Sequence, residues 1–423
     1  MGRAARSESK PKLTPYERRL FVFLSVATFF EGYDFLALAQ ILPNLRRDMN
    51  LSEAWAGWLL AAVNLGTVAA YLLIRRADRW GRKRTLTITI AGYTIFTFLT
   101  GFSPNVWVFA LLQLLARIFL IAEWAVSMVI AAEEFPAARR ASMIGVIQGC
   151  STLGSIVCAG LVPLLLQTEY GWRSVYFVGI VPLAILAYAR RGLKETRRFS
   201  EQVERSDSQG VAPGARAEDF FRVWKGPYRG RMLRLALVWF CSYIASANAV
   251  SFWKEFAVHD RGFSDVEVSK AITIAAVASM PFVFLAGALI DKLGRKVGAG
   301  IIFSIASLGT FGSYTLHGAV PLTIGLTLGI FGAAAFLPLL NSYASELFPT
   351  ELRGNAFAWS NNLLGRIGYV VSPIAIGLAV EEIGAFGPVL AATAIFPLLS
   401  IVLVATLLPE TKGKELEETI RLR

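Results

Sequence analysis

Ala77-Asp78-Arg79-Trp80-Gly81-Arg82-Lys83-Arg84 and Ile290-Asp291-Lys292-Leu293-Gly294-Arg295-Lys296 are the two stretches from which the fold is read. Each is a short, strongly basic turn with an acid at its front and a glycine in its middle, set between long apolar runs. A chain that leaves a membrane and re-enters it needs such a turn. Glycine permits the tight reversal, clustered Lys and Arg hold the loop on the cytoplasmic side, and the acid can pair with basic neighbours or cap a helix. Two copies roughly 210 residues apart, at matching points of the two halves, indicate an internal duplication.

Composition agrees. The 423 residues are 55% hydrophobic and 17% charged, where a soluble chain carries about 25% charge. The net charge of +12 does not mark a nucleic-acid binder, because most of the Lys and Arg fall in segments assigned to one side of the membrane and no soluble domain offers a basic face. Cys150, Cys158 and Cys241 lie inside apolar runs and read as small buried hydrophobes. With two histidines, His259 and His317, and no cofactor loop or nucleophile–base set, neither an enzyme nor a metal or cofactor site is expected. The basic N-terminus has no cleavable signal pattern and is expected in the cytoplasm.

Twelve apolar runs are long enough to cross ~30 Å of hydrocarbon. They span 19–43, 55–75, 85–103, 106–132, 142–167 and 172–190, then 232–253, 267–290, 297–316, 320–343, 355–380 and 386–408. The expected fold is therefore an all-α membrane protein with twelve transmembrane helices in two pseudo-symmetric six-helix bundles. The bundles occupy 1–190 and 232–423, and a charged, Ser/Gly/Pro-containing cytoplasmic linker joins them over 191–231, helical near Glu195–Glu204 and flexible at Ser206–Gly214. The fourth and tenth runs both end in an acid, break at proline and then supply arginine, at Glu133-Glu134-Phe135-Pro136 and Glu346-Leu347-Phe348-Pro349. The sixth is followed by Lys194-Glu195-Thr196 and the twelfth by Pro409-Glu410-Thr411-Lys412-Gly413.

These motifs resemble those of the major facilitator superfamily, whose loop between helices 2 and 3 reads Gly-x-x-x-Asp-Arg-x-Gly-Arg-Arg/Lys and recurs more loosely between helices 8 and 9. The second copy keeps the leading glycine as Gly287; the first has Ile74 there, followed by Arg75-Arg76. The resemblance implies alternating access, with Asp78, Arg79, Gly81, Arg82, Asp291, Gly294 and Arg295 as a cytoplasmic gate whose salt bridges latch the two halves.

Ionisable side chains in the middle of apolar runs are costly and so mark function. The first run carries Phe30-Glu31-Gly32-Tyr33-Asp34-Phe35, with Glu31 and Asp34 three apart on one helical face. Two carboxylates that close in a low dielectric cannot both ionise comfortably, so one is expected to hold a proton near neutral pH. The competing reading is a static buried pair. In the fourth run, Arg117 can act as an electrostatic switch for these acids or grip an anionic substrate. Glu123, nearer the cytoplasm, continues a proton path or pairs with Arg139 or Arg140. The eleventh run reads Asn361-Asn362-Leu363-Leu364-Gly365-Arg366-Ile367-Gly368-Tyr369, a polar face centred on Arg366. Tyr33, Gln148, Tyr243, Asn248, Asn341, Asn361, Asn362 and Tyr369 are cavity candidates, each of which can equally bond between helices.

Trp55, Trp58, Trp107, Trp172 and Trp253 fall near run ends and read as an interfacial belt. Gly145, Gly149 and Gly154 in the fifth run have the spacing of close helix contact, without the Gly-Pro signature that marks many drug antiporters of the superfamily. The Gly-Tyr-Asp of the first run, the acid-Phe-Pro turn and the Gly-Arg-x-Gly of the eleventh together resemble the aromatic acid:proton and related metabolite:proton symporters, where Asp-Gly-x-Asp is usual and Glu31 here replaces the first Asp. That resemblance implies proton-coupled uptake of a small organic anion, a carboxylate such as an aromatic acid, by a functional monomer in a bacterial inner membrane with both termini cytoplasmic. The alternatives are a proton-driven efflux antiporter for cationic or amphipathic drugs and a non-transporting sensor on the same fold.

Overall fold

The computed structural model describes residues 13–179, 181, 195, 196 and 220–412; the chain ends and most of the linker expected over 191–231 lie outside the described residues, as do the side chains of Asp78 and Arg79. All regular structure in it is helical. The long helices are α1 (Pro15–Met49), α2 (Glu53–Ile74), α3 (Arg82–Thr100), α4 (Val106–Glu134) and α5 (Ala137–Leu165), with α6 described only at its start (Arg173–Phe177). The second half supplies α7 (Arg229–Val250, continued by Trp253–His259), α8 (Asp265–Leu293), α9 (Arg295–Thr315) and α10 (Ala319–Glu346). Next come α11, built from Thr350–Phe357, a π-helical segment Ala358–Gly365 and Ile367–Ile383, and α12 (Phe386–Ala392 and Ile395–Leu407).

Ten of these helices are long and apolar enough to cross a membrane. The third run falls outside that set because Arg82-Lys83-Arg84 and its threonines dilute it, yet α3 still forms. Thr85, Thr87 and Thr100 turn their hydroxyls back onto the carbonyls of Gly81, Lys83 and Phe96 at 2.7–2.8 Å, so their polar atoms are satisfied inside the helix. The sixth run lies mostly outside the described residues. The fold is the expected all-helical membrane one, and ten of the twelve expected spans are met among the described residues.

The duplication is explicit in the turns. Gly81 and Gly294 hold φ of 91° and 98°, a region that favours glycine, and each opens the following helix. Arg82 then reaches Glu133 at 3.4 Å while the Arg82 and Lys83 amides donate to Glu195 Oε1 at 2.8 and 3.1 Å, and Thr196 Oγ1 donates to Glu133. In the second half Arg295 reaches Glu346 at 2.7 Å, the Arg295 and Lys296 amides donate to Glu410 at 3.0 and 2.9 Å, and Thr411 donates to Glu346. The basic turn, the acid-Phe-Pro break and the Glu-Thr ending are thus three parts of one network, present once in each half.

The two ends of the molecule are packed differently. Opposite the basic turns, one apolar core runs across both halves, joining Leu42, Leu59 and Phe109 to Phe252, Leu326 and Phe386. At the basic end each half has its own core, one around Leu24, Leu86 and Phe135, the other around Ile290, Phe303 and Leu347. The molecule is sealed at the far end and split at the basic end.

Helix contacts at the seal are close. A Cβ on Gly57 of α2 would lie 2.2 Å from the Pro373 carbonyl of α11. Ser269 of α8 donates to the Ala159 carbonyl of α5 at 2.6 Å, and Arg46 of α1 pairs with Glu255 beyond α7 at 2.9 Å. Within the first half, Gly32 and Gly154 let α1 and α5 touch, with added Cβ atoms at 1.9 Å from Ser151 O and 1.8 Å from Phe29 O. Gly145 and Gly149, expected to do the same, face open space instead. Trp55, Trp58 and Trp107 are exposed as a belt requires, but Trp172 and Trp253 are 3% and 0% exposed and belong to the shared core.

Candidate functional site

The site is built on α1, where Glu31 and Asp34 are both buried. They share a helical face yet turn to different neighbours. Glu31 accepts from Ser151 of α5 at 2.7 Å, and Asp34 faces α3, where Thr97 Oγ1 lies 3.5 Å away. Asp34 also lines a small cavity of about 10 Å³ with Gln113, Arg117 and Tyr176, about the room one water needs. Arg117 is 5% exposed, its guanidinium 4.7 Å from the Phe35 ring centroid, and its Nη1 has no partner. Two acids and one guanidinium are therefore buried in one region of the first half.

Glu123 is fully buried one turn before Ser127, whose hydroxyl donates to it at 2.6 Å; its second oxygen has no partner. The expected alternative, pairing with Arg139 or Arg140, gives way to Ser127, and the Arg140 side chain lies outside the described residues. Tyr33 is a core residue, donating to the Val175 carbonyl at 3.3 Å.

In the second half the π-helical segment widens α11 just before Arg366. Arg366 Nη1 reaches the Thr67 carbonyl of α2 at 3.5 Å and its Nε has no partner. Tyr243 donates to Asn361 at 2.5 Å, and its ring lies 4.6 Å from that of Tyr369, whose hydroxyl sits 3.4 Å from Ser246. Pro373 has no amide N–H, so it cannot bond the carbonyl four residues earlier. That carbonyl, of Tyr369, accepts instead from Asn64 of α2 at 3.0 Å. Residues of both halves thus meet around Tyr369.

Asn248 is a strut: Ser372 donates to its side chain at 2.8 Å and Tyr314 to its backbone carbonyl. Asn362 is half-buried, whereas Gln148 and Asn341 are exposed. The partners described for Arg82, Arg295 and Asp291 lie in their own halves, Asp291 pairing with Arg295 at 3.4 Å. In this conformation the ionic contact described between the halves is Arg46–Glu255 at the far end, which the sequence reading missed along with Lys254, 1% exposed and paired with Asp265 at 2.5 Å.

The model of the Major Facilitator Superfamily matches residues 24–373 and 235–421. The chain belongs to the major facilitator superfamily. Among its relatives, the putative niacin/nicotinamide transporter NiaP of Bacillus subtilis is 25% identical, over 95% of this chain and 98% of that one. The gallate transporter of Pseudomonas putida is 25% identical over 89% and 88%, and the cis,cis-muconate transport protein of Acinetobacter baylyi 27% over 84% and 86%. The xylose transporter XylE from E. coli superposes with a TM-score of 0.77 at 17% identity, over 95% of this chain and 98% of that one, which shows the shared fold. This facilitator is a membrane transporter and not an enzyme.

Proposed function

We propose that the protein is a proton-coupled symporter that takes up a small organic anion, a carboxylate with a planar or aromatic body, by alternating access. The observation that carries the reading is a pair of intramembrane guanidiniums, Arg117 from one half and Arg366 from the other, each with an unpartnered N–H. A buried cation with spare donors is complementary to a carboxylate, and the Tyr243–Tyr369 rings beside Arg366 suit a flat body. The relatives named for niacin, gallate and muconate support that class.

Asp34, with Glu31, is the proton site. With both acids ionised, their compartment with Arg117 carries a net negative charge; one proton neutralises it, and low-dielectric surroundings favour that state. Arg117 is the switch that tells the acids whether a substrate carboxylate is present, and Glu123 extends the proton path. Arg366, Asn361, Tyr243 and Tyr369 hold the anion. Gln148 and Asn341, exposed amides in apolar helices, face water and not lipid.

The basic end is cytoplasmic by the distribution of Lys and Arg, which puts both termini inside. The halves are 1–190 and 232–423, joined by 191–231. Asp78–Arg84 and Asp291–Lys296 form the inner gate, their acids and arginines meeting across the split when it closes. The membrane is a bacterial inner membrane and the working unit a monomer.

The test is uptake into proteoliposomes of labelled aromatic and aliphatic acids, neutral sugars and organic cations, with and without an inward proton gradient. Gradient-driven accumulation of an acid is expected. Gradient-driven movement of cations without acid flux would overturn the reading in favour of an efflux antiporter.

A further inference from the structure

At the basic end, where the two halves have separate cores, one side chain spans them. Phe220 lies at the end of the linker, just before the short helix Arg222–Lys225. It is 9% exposed. Its ring stacks on Tyr71 of α2, 5.5 Å between centroids at 23°, and on Trp359 of α11, 4.8 Å at 26°. Arg75 places its guanidinium 4.9 Å from the Phe220 centroid. Trp359 Nε1 donates to the Phe220 carbonyl at 2.9 Å, and Trp224 and Phe221 pack on Trp359 at 5.0 and 5.6 Å.

Helices α2 and α11 are in backbone contact at the far end, where Gly57 meets the Pro373 carbonyl and Gly377 lies close to the Glu53 carbonyl. Half-way along, side chains bridge them, Asn64 to the Tyr369 carbonyl and Arg366 to the Thr67 carbonyl. At the basic end they are joined through the Phe220 ring, which stacks on both Tyr71 and Trp359. The pair is a V with its apex at the seal and Phe220 in its mouth.

We propose that Phe220 is a wedge carried by the linker, which holds α2 and α11 apart at the basic end and so positions the transporter in the conformation open on that side. The inference rests on the alternating-access reading. In that cycle the basic ends of α2 and α11 come together when the far end opens, and the ring must leave the gap. The stack with Tyr71 and the cation contact with Arg75 exist only while the gap is open, so they stabilise that state alone. The Trp359 hydrogen bond and the Trp224 packing keep the wedge attached to its own half throughout. The same contact gives a use to the departure from the superfamily motif at Ile74-Arg75-Arg76: Arg75 is the cation that covers the wedge. The linker therefore takes part in the cycle and does more than tether the halves.

The experiment measures the distance between spin labels at Arg76→Cys and Ser345→Cys, both exposed at the basic end, with Cys150, Cys158 and Cys241 replaced by serine. Distances are recorded in proteoliposomes at several pH values, with benzoate as the added probe. Long distances are expected to dominate in the parent. Phe220→Ala is expected to raise the ratio of short to long by about tenfold, the scale of two or three lost aromatic contacts, while Phe220→Tyr keeps the parent distribution. Arg75→Gln, which leaves the stack in place, shifts the ratio in the same direction by less. An unchanged distribution in Phe220→Ala, when parent and variant both interconvert, overturns the wedge. A single distance in every variant and condition overturns alternating access itself, and the wedge with it.

Discussion

Replacing Arg46 by alanine is expected to open the far end of the transporter. Arg46 sits near the end of α1 and holds two acids: Glu53 at the start of α2 in its own half, and Glu255 in the other half at 2.9 Å. The bond to Glu53 joins elements that move together, so its loss affects both conformations and cancels. The bond to Glu255 exists only in the sealed state. The Glu255 side chain is 3% exposed and its other carboxylate oxygen is already unpartnered, so removal of Arg46 leaves a buried acid without a cation. A hydrogen bond between charged groups contributes roughly 1.5–3 kcal/mol, and stranding a buried charge pushes toward the upper end. The sealed state should therefore lose roughly 10- to 150-fold in population relative to the other. Cys158 is a natural reporter, being fully buried in the core that joins the halves. With Cys150 and Cys241 replaced by serine, Arg46→Ala should raise the rate of Cys158 labelling by an impermeant maleimide by that factor. Glu53→Gln should change it by no more than about twofold. A Cys158 rate that does not rise in Arg46→Ala would refute the reasoning, because the ion pair would then contribute nothing to the seal.

Three further outcomes follow from other contacts. Gly154→Leu should destabilise the protein by about 1–3 kcal/mol or prevent its folding, since its Cβ would enter the Phe29 carbonyl; Gly145→Ala, facing open space, should leave the melting temperature in detergent unchanged or raised. Burial pushes the Glu410 carboxyl up, but the amides of Lys296, Arg295, Lys412 and Thr411 outweigh it and hold it below the usual carboxylate range. Its contribution is therefore present above about pH 4 and lost as pH falls through the depressed value, so Glu410→Gln should lower the melting temperature at pH 7 and converge on the parent in acid. Arg366→Gln should raise KM for a transported acid by roughly 10- to 100-fold in a proteoliposome uptake assay, with less effect on the maximal rate of exchange.

Much of this architecture is legible in the residues. Hydropathy marks the long helices, and the two basic turns mark the repeat, because a glycine at positive φ between an acid and a cluster of cations has few other uses. The acid-Phe-Pro and Glu-Thr pieces are visible one by one. That they close into a network around Arg82 and again around Arg295 is not, since the partners lie about 50 and 110 residues away in sequence.

The losses have a common cause: periodicity tells which face of a helix is apolar, not which distant helix it meets. Trp172 and Trp253 look like belt residues from their places near helix ends, and only the far-end seal makes them core. Asn248 looks like a cavity residue, yet Ser372 engages it as a strut. Lys254 and Glu255 fall just beyond the seventh apolar run and so read as loop, although the helix resumes at Trp253 and buries both. Gly145 and Gly149 have the spacing for helix contact, but it is Gly154 that α5 turns toward α1. The mid-helix acids and arginines were found because charge inside an apolar run is conspicuous; their separate partners, Ser151 for Glu31 and Thr97 for Asp34, required the packing.

The most direct test of the central claim follows substrate and protons together. Proteoliposomes containing a pH dye, with no imposed proton gradient, are given a labelled acid that the protein transports, with the membrane potential clamped. The account predicts internal acidification in step with acid entry in the wild type. In Asp34→Asn it predicts exchange of labelled for unlabelled acid without a pH change. Acid entry with no proton movement in the wild type, or acidification undiminished in Asp34→Asn, would contradict it.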